Sequence, residues 1–292
     1  MTRIVLIFAD FFLFLLKILR AVILPKKLIV NNLQLSKSFK LLESFYKKNT
    51  MLNFHTFQMP QLGDRERTVR VFLPRNYFKM DKHFPVVYMQ DGQNLFDPET
   101  SFGGRDWQIA TTMDKMPLSK QVIIVGIDNG ESNRINEYAP FETKNGGGEG
   151  DAYVRFIVET LKPFIDNEYR TLPQRETTGI AGSSMVGLIS FYAGLRYSDV
   201  FGKVAPMSPA LWFNPQVLDM MKDNVAPKNA FYVVASKTEM KSMEGTLQNI
   251  YWGLKNNGWA DEQIRVIARD RGKHNEIFWG REFRAMLEWL FG

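Results

Sequence analysis

Residues 177–197 read "TTGIAGSSMVGLISFYAGLRY", and this stretch decides the fold. A short apolar run ends at Gly182, and from Ser184 onward the apolar residues recur at the spacing of a buried helix. The junction resembles the nucleophile elbow G-x-S-x-G, in which a serine lies on a sharp strand-to-helix turn between two small neighbours. Here the second small position is Val186. The stretch therefore predicts a strand, an elbow carrying Ser184, and a helix, with Val186 as the departure from the motif.

The other apolar segments predict strands and helices in alternation. Short apolar runs occur at 67–74, 85–90, 121–127, 203–208, 230–236 and 263–269. The first of them, "RTVRVFLP", alternates at period two and stops at a proline, which is typical of an edge strand. Helical patterns cover 151–169, 184–197, 241–256 and 275–291. Strands separated by helices predict an α/β fold, a doubly wound and mostly parallel sheet with helices on both faces.

The composition excludes several classes of function. The 292 residues include no cysteine, so thiol catalysis, disulfides and cysteine-based metal sites are excluded, and a reducing compartment is expected. The net charge is +6, but residues 1–50 carry +7 and residues 51–292 therefore carry −1. The body of the protein has no basic excess for a phosphate backbone, and we expect no nucleic-acid partner.

The first fifty residues form a hydrophobic and basic extension ahead of a domain at 51–292. Residues 4–24 are nearly long enough to span a bilayer, but Asp10, Lys17 and Arg20 interrupt them. No small-residue cleavage site follows, so a secretory signal is a poor interpretation. Three interpretations remain: an upstream reading-frame extension or dispensable tail, an anchor at the membrane surface, and a transmembrane span. We expect a cytoplasmic protein, with membrane association only through this extension.

A nucleophilic serine needs a general base and an acid that orients it. His274 is the one histidine of the three that follows Ser184, and it lies between the last predicted strand and the last helix. Eight carboxylates lie between these two residues. Glu239 comes directly after the run "AFYVVAS", where open α/β sheets keep their sites, with Glu244 as the alternative. Asp270 is too close to His274 in sequence to face its ring easily.

The oxyanion hole needs two backbone N–H groups. One is expected at Met185, directly after the nucleophile, and the other at Gly92 or Gln93 in the loop after "PVVYMQ". The same "DGQN" loop lacks the remaining carboxylates of a calcium site. The glycine-rich "NGGGEG" at 145–150 lacks the lysine and the preceding strand of a phosphate-binding loop, so we interpret it as a surface loop.

Several motifs in order resemble the putative-esterase family of α/β-hydrolases, which includes esterase D, enterochelin esterase, feruloyl esterases and mycolyltransferases. They are "YMQDGQNLFD", "VGIDNG" with "NRINEYAP", "FIVETLKPFIDNEYRT", "GSSMVGLIS", "SPALWF" and "GKHNEIFW". The resemblance covers about residues 51–292. It implies the α/β-hydrolase fold, a Ser184–Glu239–His274 triad, and no metal or cofactor. It also implies a substrate pocket near Trp107, Arg134, Tyr138 and Trp212, although core packing explains each aromatic residue equally well.

Two departures from the family pattern bear on activity. The chain has Gln90 where the family usually has histidine before Asp-Gly-Gln-Asn. Because Gln90 can still hydrogen-bond, we expect altered geometry around the nucleophile rather than lost activity. Val186 replaces a glycine and should crowd the elbow, at a cost of about 1–3 kcal/mol. The leading hypothesis is a serine carboxylic-ester hydrolase acting on a small-molecule ester through an acyl-enzyme. The alternatives are an acyltransferase with the same triad and a non-catalytic binding protein whose elbow Val186 has disabled.

Overall fold

Eight strands form one sheet in the computed structural model, which describes residues 51–223 and 229–292. They are β1 Leu52–Met59, β2 Arg65–Phe72, β3 Val86–Gln90, β4 Ile123–Ile127, β5 Thr178–Ser183, β6 Lys203–Met207, β7 Ala230–Ser236 and β8 Ile264–Arg269. Their order is β1-β2-β4-β3-β5-β6-β7-β8. β2 pairs antiparallel with β1 and β4, and the other neighbours are parallel. The prediction of a mostly parallel sheet is confirmed.

Helices cover both faces of this sheet. They are α1 Ile109–Lys115, α2 Arg134–Tyr138, α3 Gly150–Arg155, α4 Lys162–Glu168, α5 Met185–Arg196, α6 Met243–Asn256 and α7 Glu276–Leu290. The apolar side chains of α1 and α7 pack into one core cluster, and those of α3, α4, α5 and α6 pack into the other. Residues of β3 alternate between the two clusters, with Tyr88 in one and Val87 and Met89 in the other. A strand covered on both faces must be apolar throughout, which explains its continuous apolar sequence.

One sequence prediction needs correction, and one predicted helix is irregular at its centre. The segment at 67–74 was predicted as an edge strand, but β2 lies between β1 and β4, and β1 is the edge. β1 escaped prediction because it places the apolar Phe54 on the exposed face and Phe57 on the inner face, which breaks the expected alternation. The single helix expected at 151–169 is α3 and α4 joined by a π-helical stretch, Phe156–Leu161.

Residues 51–292 form one compact unit by themselves. The hydrophobic extension at 1–50 lies outside the described residues. Among the helices that the structure does describe, none has the length and apolar character needed to cross a bilayer.

Candidate active site

The elbow predicted at Ser184 lies on the turn between β5 and α5. Its φ of 58° and ψ of −122° are sparsely populated for a residue with a side chain, so the surrounding structure must hold it there. The backbone N–H of Ser184 donates to Met207 O at 3.0 Å, and its carbonyl accepts from Leu188 N and Ala210 N, both at 3.0 Å. These bonds tie the elbow to the loop that follows β6.

Val186 fits the elbow because position 182 has no side chain. A Cβ atom added to Gly182 would lie 2.0 Å from Val186 Cγ1. The valine is 2% exposed and occupies the space that a second side chain would need. Gly182 and Val186 therefore pack as a pair, in which the valine side chain fills the space left beside the bare glycine.

His274 and Glu239 lie together in the loops that follow β8 and β7. His274 Nδ1 is 3.0 Å from Glu239 Oε2. The Glu239 side chain is 1% exposed and that of His274 is 40% exposed, so the carboxylate is buried behind the ring. The other two acids considered do not approach the imidazole, since Glu244 and Asp270 both pair with Lys237, at 3.9 and 3.0 Å.

Two further donors hold the Glu239 carboxylate. Glu239 Oε1 accepts from Ser208 Oγ and from Ser236 N, each at 2.9 Å. Burial alone raises the pKa of Glu239, but the hydrogen bonds from His274, Ser236 and Ser208 more than offset it, so the pKa is lowered. Glu239 therefore stays ionised at neutral pH, in the form that orients an imidazole.

Ser208 and Trp279 extend this network, and sequence reasoning did not single out either. Trp279 Nε1 donates to Ser208 Oγ at 3.0 Å, and the centroids of the Trp279 and His274 rings lie 4.9 Å apart with the two ring planes nearly perpendicular. Ser208 is fully buried with a φ of 43°. The sequence did contain a signal for Ser208. This residue directly follows β6, so it lies at the same edge of the sheet as the loops that carry Ser184, Glu239 and His274.

Ser184 and His274 both line a cavity of about 580 Å³ at the carboxyl ends of the parallel strands. Gln93, Trp107, Arg134 and Val186 also line it, together with Gln90, Asp91, Trp279 and Glu276. Among the hydrogen bonds of the described residues, none joins Ser184 Oγ to His274. In unliganded enzymes such a bond is often long and shortens only when substrate binds.

Backbone N–H groups are available where the oxyanion hole was expected. Met185 is the first residue of α5, and Gly92 and Gln93 begin a short 3-10 turn, Gly92–Asn94. The first N–H groups of a helix have no acceptor within it, so they can bind a ligand. Gly92 must be glycine, because a Cβ there would lie 2.7 Å from the backbone carbon of Gly126 in β4.

Arg134 and Tyr138 both contact Asp91. Arg134 Nη2 is 2.7 Å from Asp91 Oδ2, and Tyr138 Oη is 3.2 Å from Asp91 Oδ1. Arg134 lines the cavity, whereas Tyr138 is fully buried and supports Asp91 without being part of the lining. Trp212 is 62% exposed and is also absent from the lining. Burial raises the pKa of Glu276 on the cavity wall, and the nearby Asp91 adds to this.

Among the residues that the structure describes, no three His, Cys, Asp or Glu side chains are grouped closely enough to hold a metal ion. The side chain of Gln90 has no hydrogen-bond partner among these residues, although a glutamine there can still form one.

The family described as "Putative esterase" has a model that matches residues 61–287. This chain belongs to the putative-esterase family. The esterase is 25% identical over 245 residues to the uncharacterized protein YbbA of Bacillus subtilis, covering 79% of this chain and 94% of YbbA.

Solved structures share the fold of the esterase. The enterobactin esterase FES of Shigella flexneri, solved in the presence of enterobactin, matches with a TM-score of 0.67 and 19% identity, covering 83% of this chain and 59% of FES. A ferulic acid esterase matches with a TM-score of 0.62 and 19% identity, covering 82% of this chain and 97% of that esterase. At this identity the match shows the α/β-hydrolase fold, and the carboxylesterase-type activity comes from the family.

Proposed function

We propose that the protein is a serine carboxylic-ester hydrolase with Ser184 as nucleophile, His274 as general base and acid, and Glu239 as the orienting carboxylate. The observation that carries the proposal is the convergence of a strained serine elbow and a hydrogen-bonded Glu–His pair on one cavity. Ser184 Oγ attacks the ester carbonyl while His274 Nε2 takes its proton. The same nitrogen then returns the proton to the leaving alcohol, and an acyl-enzyme on Ser184 remains.

The charge that develops on the carbonyl oxygen needs donors already in place. Met185 N and one amide of Gly92 or Gln93 supply them in this proposal. Water activated by His274 then hydrolyses the acyl-enzyme. If an alcohol took the place of this water, the same residues would transfer the acyl group, and the substrate is in either case a small-molecule ester.

Labelling with a fluorophosphonate probe tests the proposal, because such probes react with activated serines. We expect an adduct on Ser184 by peptide mass mapping, absent from the Ser184→Ala variant and strongly reduced in His274→Ala. Ser183→Ala is the matched control, since Ser183 also lines the cavity but lies in β5, one residue before the elbow. A folded protein that is not labelled, and that hydrolyses none of a panel of esters, would instead support a binding protein disabled by Val186.

A further inference from the structure

Asp91 is the first residue after β3, and it directly precedes the two residues whose amides are candidates for the oxyanion hole. Its φ of 54° and ψ of 44° lie in the left-handed region, which is uncommon for a residue with a side chain. The carbonyl of Asp91 accepts from Asn94 N at 2.9 Å and closes a turn. Among the hydrogen bonds of the described residues, none uses the N–H groups of Gly92 and Gln93 inside this turn. Because the ψ angle of Asp91 orients the planar peptide group that follows it, the conformation of Asp91 sets the direction of the Gly92 N–H.

Tyr138, the last residue of α2, holds both the backbone and the side chain of Asp91. The N–H of Asp91 donates to Tyr138 Oη at 3.3 Å, and Tyr138 Oη donates to Asp91 Oδ1 at 3.2 Å. A hydroxyl can do both at once, since it carries one donor and two acceptor lone pairs. Tyr138 is fully buried and does not line the cavity, so its hydroxyl acts on the turn without touching a bound molecule.

Arg134 and Asn129 hold the carboxylate of the same residue. Arg134 donates from Nη2 to Asp91 Oδ2 at 2.7 Å and from Nε to Asp91 Oδ1 at 3.0 Å, a two-bond geometry that fixes the orientation of both groups. Asn129 Nδ2 donates to Asp91 Oδ1 at 3.1 Å, and Asn129 N donates to Gln93 Oε1 at 3.2 Å. The turn is therefore tied at several points to the segment that follows β4.

The charge of Arg134 also bears on the reaction. Asp91 lines the same cavity as Ser184, and its side chain is 14% exposed, so water screens it little. An uncompensated carboxylate in this wall would oppose the negative charge that develops on an ester oxygen in the cavity. The guanidinium of Arg134 cancels that charge.

We propose that Arg134 and Tyr138 are positioning residues for the oxyanion hole, which act through Asp91 to fix the two N–H groups of the turn in the direction of the ester carbonyl oxygen. This inference rests on the proposed function. A turn released from these contacts still forms a wall of the cavity, but its amides lie out of reach of the developing charge. Donors to an oxyanion act mainly in the transition state, so their displacement lowers kcat and leaves KM nearly unchanged.

Tyr138→Phe tests the proposal with 4-nitrophenyl butyrate as substrate, because it removes one hydroxyl that no substrate touches. We expect kcat to fall about 10- to 100-fold with little change in KM, as for a small misplacement of catalytic groups. Tyr88→Phe is the matched control. Tyr88 is equally buried and lies in β3 itself, but its hydroxyl has no hydrogen-bond partner among the described residues, so kcat should be unchanged.

A pair of ketones gives a readout that a merely structural role would not move. Ser184 Oγ adds to the carbonyl carbon of 1,1,1-trifluorooctan-2-one while His274 takes the proton, and the resulting oxyanion needs the same N–H donors. Octan-2-one binds without forming a stable adduct. In Tyr138→Phe the inhibition constant of the trifluoromethyl ketone should rise by the same factor by which kcat falls, while that of octan-2-one stays constant.

Two variants of Arg134 examine the charge and the two-bond geometry. Arg134→Met removes both and leaves the Asp91 carboxylate uncompensated, so kcat should fall at least about 100-fold. Arg134→Lys keeps the charge without the fork of donors, so its kcat should lie between those of the wild type and Arg134→Met. If thermal denaturation shows that Tyr138→Phe is unfolded, Arg134→Lys takes its place in the comparison of the two ketones.

The remaining outcomes separate the two proposals. Equal kcat values for Tyr138→Phe and Tyr88→Phe would show that the contact with Asp91 does not position the amides. A rise in KM together with weaker binding of both ketones would indicate a role in binding or packing, and the inference would again be wrong. If the wild type neither hydrolyses esters nor is labelled at Ser184, the proposed function itself fails.

Discussion

Ser184 and Ser208 both have a positive φ. Each directly follows a parallel strand, β5 and β6, and these two strands are adjacent in the sheet. Such conformations cost about 1–3 kcal/mol and persist where surrounding bonds determine them. Ser208 N donates to Val234 O at 2.7 Å, while its Oγ links Trp279 to Glu239. One strained serine is thus the proposed nucleophile, and the other hydrogen-bonds to the carboxylate proposed to orient the base.

Replacement of Ser208 by alanine tests this positioning role. Loss of a hydrogen bond to a charged group corresponds to about 1.5–3 kcal/mol, so we expect kcat/KM to fall about 10- to 100-fold, mostly through kcat. Steady-state kinetics measure this. Ser190→Ala is the control, because Ser190 is equally buried and its hydroxyl has no partner among the described residues. A similar loss in both variants would contradict the role of Ser208.

The same variant should change the dependence of stability on pH. The pKa of Glu239 is below its ordinary value of 4.5, so its ionised form stabilises the fold above that pH and the contribution is lost as the pH falls through the lowered pKa. Without the bond from Ser208 the pKa of Glu239 rises toward 4.5. Denaturant titrations from pH 7 to pH 3 should therefore show a smaller contribution in Ser208→Ala, lost at a higher pH than in the wild type.

Replacement of Val186 distinguishes the catalytic hypothesis from the hypothesis of a binding protein. Because Val186 packs against the bare Gly182, we expect Val186→Gly to leave a void and an extra helical glycine, lowering the free energy of unfolding by about 2–4 kcal/mol. Turnover should change only a few-fold. Ala193→Gly in the same helix is the control for helix propensity. A large gain of activity from near zero would instead show that the valine had silenced the elbow.

At the scale of elements, the positions of the loops that follow the strands explain how sequence reasoning could predict much of the candidate site. Ser184, Glu239 and His274 follow β5, β7 and β8, and parallel strands bring their carboxyl ends to one edge. Apolar runs and the order of motifs were enough to predict those positions. Sequence reasoning missed three features that depend on side-chain packing. They are the Ser208–Trp279 network, the side-chain amide of Gln90 without a hydrogen-bond partner among the described residues, and the exposure of Trp212. β1 was missed for a related reason, since its apolar residues face both sides of the sheet.

The short helix α2 depends on β2 for its position. Arg67 in β2 pairs with Glu137 in α2 at 2.9 Å, with both side chains almost fully buried, and Arg134 on the same helix lines the cavity. Removal of Arg67 leaves the buried Glu137 carboxylate with only the longer contact to Arg65, at 3.4 Å, so Arg67→Met should lower the free energy of unfolding by about 3–5 kcal/mol.

Chemical denaturation of this variant provides the measurement. Arg155→Met is the comparison, because the Arg155–Glu159 pair is exposed and its loss should hardly change the unfolding transition. Equal effects of the two substitutions would show that the buried pair does not anchor α2.

At the scale of the molecule, the net charge differs between the residues before Met51 and those from Met51 onward. Residues 1–50 carry +7 and the compact unit that begins at Met51 carries −1. We expect a chain beginning at Met51 to fold and to keep the kcat/KM of the full chain, because the described residues of the site all lie in this unit. Any attraction to anionic membranes should be confined to the full chain.

Fractionation of cell lysates, and sedimentation with vesicles that contain anionic lipid, compare the two chains. Enrichment of the full chain alone in the membrane pellet would support an anchor at the membrane surface. Equal recovery of both chains in the supernatant would exclude it.

The sheet ends in β8, a strand with partly exposed residues on both faces and with one neighbour, β7, in the described sheet. The imidazole follows β8, whereas Ser184, the proposed nucleophile, follows β5 near the centre of the sheet. Fraying of β8 requires less free energy than global unfolding, and it separates His274 from Glu239, which follows β7, and from Ser184 while the rest of the sheet remains intact. We therefore expect loss of activity on heating to begin at this edge of the sheet, while most of the backbone structure persists.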